Sequence, residues 1–212
     1  MSKKEKIENQ IKRFLPDGYA SYIADLIINN KVRIVITKPR KTKYGDFSSN
    51  KREKKPTHKI TINGNLNKYQ FLITILHEFA HLYVYEKHKD RVPPHGIEWK
   101  TTFKELLLPV INDENIPRDI RMALNVPAQR LKASSATDLR LKRALDAHSI
   151  SVDKTTVILE SLHQKSYFSL NENIFQLGEL RRTRFICRKV KTNKLYLVNR
   201  LAEVKYLKDY SE

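Results

Sequence analysis

The N-terminal part of the chain contains hydrophobic patterns of two kinds. Apolar residues recur at helical spacing over residues 5–30, and Pro16, Asp17 and Gly18 divide that stretch into two predicted helices. Two short β-branched runs, 32–36 and 58–63, predict strands. The residues between these runs, 38–55, have turn signals and no sustained apolar pattern, so they predict a loop.

The longest apolar stretch predicts a buried central helix over residues 68–87. Asn67 has the chemistry of a helix N-cap, and Gln70 follows it at the spacing of a capping box. The helix is apolar on most faces, which is typical of a helix enclosed by its neighbours. A further helix is predicted over 96–108.

The hydrophobic pattern changes in the C-terminal part of the chain. Residues 113–154 are a mixed helical stretch with a linker-like segment at 133–137. Short extended runs begin near residue 155, and they predict strands at 157–159, 167–170, 184–188 and 194–198. Residues 191–194 predict a hairpin turn. The chain is therefore predicted to be an α+β protein with a core over 1–112, a helical connector over 113–154 and a small β-rich module over 155–212.

Composition narrows the class of protein. The 212 residues include 40% hydrophobic residues and a single cysteine, Cys187, which excludes both a disulfide-rich scaffold and a wholly disordered basic tail. No signal-peptide or membrane-spanning pattern is found, so we expect a cytoplasmic protein that does not act at a membrane. The formal net charge of +18 favours nucleic acid as a partner and makes association with the nucleoid plausible.

Candidate chemistry is concentrated in the predicted central helix. His77, Glu78 and His81 form an H-E-x-x-H motif. Residues i and i+4 of a helix lie on one face, so the two imidazoles can occupy two positions around one Zn²⁺ ion. Glu78 is then placed to act as general base for a zinc-activated water.

A catalytic zinc ion usually has a third protein ligand and one open position. Metzincin spacing is absent, because Val84 and Lys87 stand where that class has glycine and histidine. His95 is favoured as the third ligand, since Gly96 lets the chain turn back toward the helix. The gluzincin-like alternatives are Glu98 and Glu105, and His88 is expected to flank the site.

These paired motifs resemble the SprT-like (Spartan-type) zinc metalloprotease domain family. The resemblance rests on residues 74–81, thirteen intervening residues, and His95, Gly96 and Trp99 in 95–100. Residues 42–46 and 60–63 sit where the family has a glycine-bearing loop and a strand. The resemblance covers about residues 5–110 and implies a minimal zincin-like fold, with His77, His81 and His95 on one zinc ion and Glu78 as general base.

The C-terminal module departs from that family, whose members often have a four-cysteine zinc ribbon. Only Cys187 is present, so the module is expected to be a degenerate ribbon-like β module or a different one. Residues 181–200 hold eight Lys/Arg and no acid, and residues 38–55 hold eight Lys/Arg against two acids. Basic strands with interleaved aromatic residues suit phosphate contacts and base stacking. The candidate contacts to single-stranded or distorted DNA are Arg181, Arg182, Arg184, Arg188, Lys189, Lys191, Lys194, Lys41 and Lys43.

Three functions remain open from the sequence. The first is a zinc-dependent endopeptidase that acts on DNA-associated or DNA-crosslinked proteins, as in DNA repair, which is what the resemblance implies. The second is a cytoplasmic H-E-x-x-H peptidase that cleaves one dedicated protein partner, such as a transcription repressor. The third is a non-enzymatic DNA-binding protein with a structural zinc ion, against which the intact Glu78 argues.

Overall fold

The chain folds into two compact units, Met1–Ser149 and Ile150–Glu212. Helices and strands are mixed in the first unit and strands dominate the second, so the α+β prediction is confirmed. The computed structural model describes residues 1–40, 42–50, 57–132, 138–149, 156–208 and 210.

The first unit combines six helices and three strands among its described residues. The two predicted N-terminal helices are present, and the two later helices end one and four residues beyond their predicted C-terminal ends. The elements are α1 (Lys3–Ile11), α2 (Tyr19–Asn29), β1 (Arg33–Thr37), β2 (Gly45–Asn50), β3 (Thr57–Asn63), α3 (Lys68–His88), α4 (Ile97–Asn112), α5 (Arg118–Leu124) and α6 (Leu139–Ala147).

The three strands form one sheet with β3 at its centre. β1 pairs with β3 in parallel, and β2 pairs with β3 in antiparallel orientation. The prediction of a loop throughout 38–55 is wrong for β2. Glycine, serine and asparagine give β2 little strand propensity, and it forms because β3 supplies a complete register of partners from Gly45 to Asn50.

The central helix α3 is buried as predicted. Phe71, Ile75, Leu76 and Phe79 have no exposed surface. The Asn67 side chain caps the helix by accepting hydrogen bonds from the backbone N–H groups of residues 69 and 70, at 3.0 and 2.9 Å.

The capping environment of α3 also includes α6. The side-chain amide of Asn67 donates to Leu145 O at 2.9 Å and to Ser149 Oγ at 2.8 Å. Gln70 does not close a capping box, because its amide donates to Asp146 at 3.3 Å. The N-terminus of α3 is therefore held by contacts 76–82 residues away in sequence.

Residues 113–149 contribute to the core of the first unit. Ile116, Ile120, Leu124, Leu141 and Leu145 are buried in the same apolar cluster as α3. The hydrophobic pattern predicts a separate connector over 113–154, whereas helices α5 and α6 of this segment lie within the compact unit that ends at Ser149. The predicted linker 133–137 and the predicted boundary near 154 lie outside the described residues.

The second unit contains a six-stranded antiparallel sheet with its own apolar core. Its strand order is β4-β9-β5-β6-β7-β8. The turn predicted at 191–194 falls between β7 and β8, where Asn193 has a left-handed backbone (φ 58°). The strands are β4 (Thr156–Ile158), β5 (Tyr167–Leu170), β6 (Asn173–Arg181), β7 (Arg184–Lys189), β8 (Leu195–Asn199) and β9 (Glu203–Tyr206).

Two of these strands, β6 and β9, have no counterpart in the sequence prediction. β6 is interrupted by a register shift between Leu177 and Leu180, and a Cβ atom on Gly178 would lie only 2.4 Å from Ile186 O. Glycine is required there by the close approach of the neighbouring strand. Cys187 is buried in this core, and burial raises the pKa of its thiol to about 11.

Within the described residues, no helix is long and apolar enough to cross a membrane.

Replacing Asn67 separates its two roles. Asn67→Ala removes the cap and the two amide contacts, and we expect it to lower the free energy of unfolding by about 1–2 kcal/mol for the cap and about 0.5–1.5 kcal/mol for each amide bond. Asn67→Asp keeps the cap oxygen and loses only the amide donors, so its loss should be smaller. Denaturant unfolding measures both, and equal losses in the two variants would contradict this account.

Candidate metal centre

The two histidines of the H-E-x-x-H motif meet on one face of α3. His77 and His81 are one turn apart, and their Nε2 atoms lie 3.1 Å from each other. His95 completes the group from the segment before α4, with its Nε2 atom 3.0 Å from that of His81 and 3.3 Å from that of His77. The predicted third residue therefore lies beside the predicted pair.

The turn that brings His95 to α3 differs from the expected one. His95 itself has a left-handed backbone, with φ 60°, while Gly96 is extended at φ −65° and begins α4 as its N-cap. Trp99, one turn into α4, is fully buried, and its ring lies against all three imidazoles at centroid distances of 4.6–5.4 Å. Packing on Trp99 thus holds the three rings in place.

The spacing of the three nitrogens fits a single tetrahedral cation. Imidazole nitrogens that share a zinc ion at about 2.0–2.1 Å lie about 3.3–3.4 Å apart, and the observed separations are 3.0–3.3 Å. A ring proton on one nitrogen explains one or two of these contacts. A common cation explains all three, so the donor set fits zinc.

The protonation state of the triad favours a cation as well. Burial, followed by the charges of the other two histidines, lowers the pKa of His77 to about 3. Burial and His95 lower the pKa of His81 to about 4, and burial also lowers the pKa of His95. All three rings are therefore neutral near pH 7, which is the form that binds metals.

Glu78 is buried beside the triad, with 5% of its surface exposed. Burial, followed by the charge of Asp46, raises the pKa of Glu78 to about 8, although a hydrogen bond from the backbone N–H of Phe47 and the charges of Arg40 and Lys43 oppose the rise. A carboxyl group with such a pKa can accept and release a proton near neutral pH.

The strand β2 approaches Glu78 at a glycine. A Cβ atom on Gly45 would lie 2.5 Å from Glu78 Oε1 and 2.8 Å from Thr74 Cγ2, so a larger residue would displace the carboxylate. The family resemblance places a glycine-bearing loop at residues 42–46. In the structure Gly45 and Asp46 already belong to β2, and this strand lies against the carboxylate.

A polar residue at the end of β3 organises the loop that leads to β2. Asn63 is buried, and its amide donates to Arg40 O and Lys43 O, each at 3.1 Å. Its carbonyl oxygen accepts from Arg40 Nε at 2.8 Å. Neither Asn63 nor Arg40 was singled out from the sequence, because their partners are 20–23 residues apart.

The alternative third ligands lie elsewhere. Glu98, Glu105 and His88 line a separate cavity. Among the described residues, the only group of three or more His, Cys, Asp or Glu side chains close enough to share an ion is His77, His81 and His95. The gluzincin-like alternative therefore has no geometric support.

The candidate nucleic-acid residues fall into two sets. Lys43 forms an ion pair with Asp46 at 2.7 Å beside Glu78, and Lys41 lies outside the described residues. In the second unit Lys189 is half-buried. The exposed members there are Arg181, Arg182, Arg184, Arg188, Lys191 and Lys194.

Phe185 and Tyr196, the aromatic residues interleaved with these basic residues, differ in exposure. Phe185 is buried in the core of the second unit, so it is not available for base stacking. Tyr196 is 42% exposed, and its ring lies 5.6 Å from that of Phe175. Of the residues predicted to contact nucleic acid in the second unit, six basic side chains are exposed, whereas Tyr196 is the exposed ring of the two aromatic residues considered.

The fold and the site together define an α+β protein with a three-histidine centre and a buried carboxylate beside it. Residues 19–116 match the model of the SprT-like family, and this part of the chain is a SprT-like domain. The family is associated with zinc and with metalloprotease activity. No curated protein and no solved structure matches the chain.

Removing one histidine tests the centre directly. We expect wild-type protein to bind one zinc ion, and His95→Ala to lose it. Changes to residues that only support metal ligands weaken binding by about 10–100-fold, so loss of a ligand should exceed that range. His88→Ala changes a histidine of the same helix outside the triad and should bind as wild type does. Metal analysis with competitive chelator titration measures both, and unchanged affinity in His95→Ala would refute the assignment.

Proposed function

We propose that this protein is a zinc-dependent endopeptidase that acts on DNA-associated or DNA-crosslinked proteins. One observation carries the peptidase part of the proposal: a buried carboxylate with a raised pKa adjoins three converging neutral imidazoles. A structural metal site has no use for a buried general base. The family match supports the same reading at the level of a metalloprotease-related function.

In the proposed mechanism, His77, His81 and His95 would hold the zinc ion. When bound, zinc supplies a Lewis acid that polarises a carbonyl group and lowers the pKa of water. Glu78 takes the proton of the attacking water on its carboxylate and later passes it to the nitrogen of the departing amine. The Phe47 N–H donates a hydrogen bond to that carboxylate, and the absence of a side chain at Gly45 leaves space for it.

The positive charge supports an association with DNA. The chain has a net charge of +18, and residues 181–200 have eight Lys/Arg and no acid. Six of these side chains are exposed, and none of the six lies within salt-bridge distance of an acidic residue in the described part of the chain. Unpaired cations on β6, on β7 and in the connections on either side of β7 favour phosphate contacts, which are sequence-independent and sensitive to salt.

Cleavage of a protein crosslinked to DNA tests the proposal. Zinc-loaded wild type should cleave the crosslinked protein, and Glu78→Gln should lose at least about 100-fold in rate, because general base catalysis contributes about 10²–10⁴-fold. Glu105→Gln removes an exposed carboxylate from α4 and serves as the matched control. Mass spectrometry of the products gives the rates.

The same assay separates the alternatives. Cleavage that single-stranded DNA and crosslinking leave unchanged would favour a peptidase with one dedicated protein partner. No cleavage by zinc-loaded protein, with DNA binding retained, would favour the non-enzymatic DNA-binding protein. Equal activity of wild type and Glu78→Gln would refute the proposed role of the carboxylate.

Charge reversal on β7 tests the DNA part. Arg184→Glu with Arg188→Glu removes two exposed cations from one strand, and we expect DNA affinity to fall at least about 10-fold and its salt dependence to weaken. Lys165→Glu with Lys208→Glu makes the same change in net charge at exposed positions outside 181–200. Fluorescence anisotropy at several salt concentrations compares the two, and equal losses would show that net charge alone governs binding.

A further inference from the structure

The cavity at the metal centre has two chemically different sides. Its volume is about 370 Å³, and it contains the three histidines and Glu78. The side formed by residues 42–46 is polar and includes Lys43 and Asp46. A second side, which we term the apolar wall, is formed by Phe103, Ala123, Leu124, Leu131 and Leu141.

The apolar wall comes from the region that follows the family match. The match ends at residue 116, and every wall residue except Phe103 lies beyond it. Ala123 and Leu124 belong to α5 and Leu141 belongs to α6. Each wall residue has at most 8% of its surface exposed, so the packing of the first unit fixes its position.

Two charged residues, Lys132 and Asp138, also line the cavity, but neither belongs to the apolar wall. The carboxylate of Asp138 accepts hydrogen bonds from Arg140 N at 3.1 Å and Leu141 N at 3.2 Å as the N-cap of α6. Lys132 is exposed. The Asp138 carboxylate is therefore bonded within its own helix, and the described side chains of the wall offer hydrocarbon to a ligand.

We propose that the apolar wall is a specificity pocket, which receives a bulky apolar side chain of the substrate next to the bond that is cleaved. This inference rests on the proposed peptidase function and adds a substrate class to it. Polar groups are costly to bury against hydrocarbon, and apolar groups are favoured there. A pocket of this kind discriminates by about 10–200-fold for each methylene group gained or lost.

The size of the cavity fits this assignment. Enclosed sites for small ligands measure about 300–1,000 Å³, and the cavity here lies at the lower end of that range. It therefore accommodates one large side chain together with the adjoining backbone.

Filling the wall tests the proposal. Ala123→Phe places a ring in the cavity, so cleavage should shift from sites with leucine, methionine or phenylalanine to sites with glycine, alanine or serine. For a peptide with leucine at the site, we expect kcat/KM to fall at least about 10-fold, while a peptide with alanine should change less than about 3-fold. Met122→Phe makes a similar change at the neighbouring, 64% exposed position and should behave as wild type.

A second variant, which enlarges the cavity, tests the proposal if the first variant does not fold. If Ala123→Phe fails to fold, Leu141→Ala opens the same wall and should raise the relative rate at phenylalanine and tryptophan sites. Zinc content and thermal unfolding are measured for each variant. Unchanged cleavage-site preferences in a folded, zinc-loaded wall variant would overturn the proposal.

Peptide binding tests the pocket independently of catalysis. The probe is a fluorescein-labelled decapeptide of glycine and serine with one central leucine, compared with the same peptide carrying serine there. Zinc-loaded Glu78→Gln should bind the leucine peptide at least about 10-fold more tightly, and Ala123→Phe in that background should remove the difference. Equal binding of both peptides would overturn the pocket. Absence of cleavage by wild type with this preference intact would overturn only the peptidase function.

Discussion

Four polar side chains are held in or beside the apolar core of the first unit, and the arrangement of the site depends on how that burial is compensated. His77, His81 and His95 are neutral and converge to within 3.3 Å, and Glu78 is almost fully buried next to them. Burying such groups without partners is strongly unfavourable. A shared cation would offset the burial of the imidazoles, and the Phe47 N–H compensates the carboxylate in part.

The rest of the first unit can be understood as support for this group. α3 supplies three of the four side chains from one rigid element, which makes their relative positions insensitive to loop motion. Trp99 packs against every imidazole, and β2 closes on the carboxylate at a position where only glycine fits. Asn63, at the end of the central strand β3, donates hydrogen bonds to backbone carbonyl groups of the loop before β2. These bonds fix the position at which β2 begins.

The convergence of the three histidines was predictable because its determinants are local. His77, Glu78 and His81 lie within five consecutive residues of a strongly patterned helix, and His95 follows a proline pair that ends the connection. Strand β2 was not predictable, because its residues have weak strand propensity and become a strand only by pairing with β3. Strand β6 was missed for a similar reason, since Gly178 and the register shift interrupt the alternation of apolar residues. The apolar wall could not be predicted either, because its residues are spread over 103–141 and meet only in the folded unit.

The proposed mechanism requires that the three histidines bind one catalytic zinc ion and that Glu78 remains unbound beside it. A crystal structure of zinc-loaded protein, with anomalous diffraction recorded at the zinc edge, tests both requirements. One anomalous peak is expected about 2.0–2.1 Å from each of the three Nε2 atoms, with the Glu78 carboxylate outside bonding distance. A peak held by other residues, or a Glu78 oxygen that binds the ion and closes the site, would refute a catalytic zinc ion on this triad.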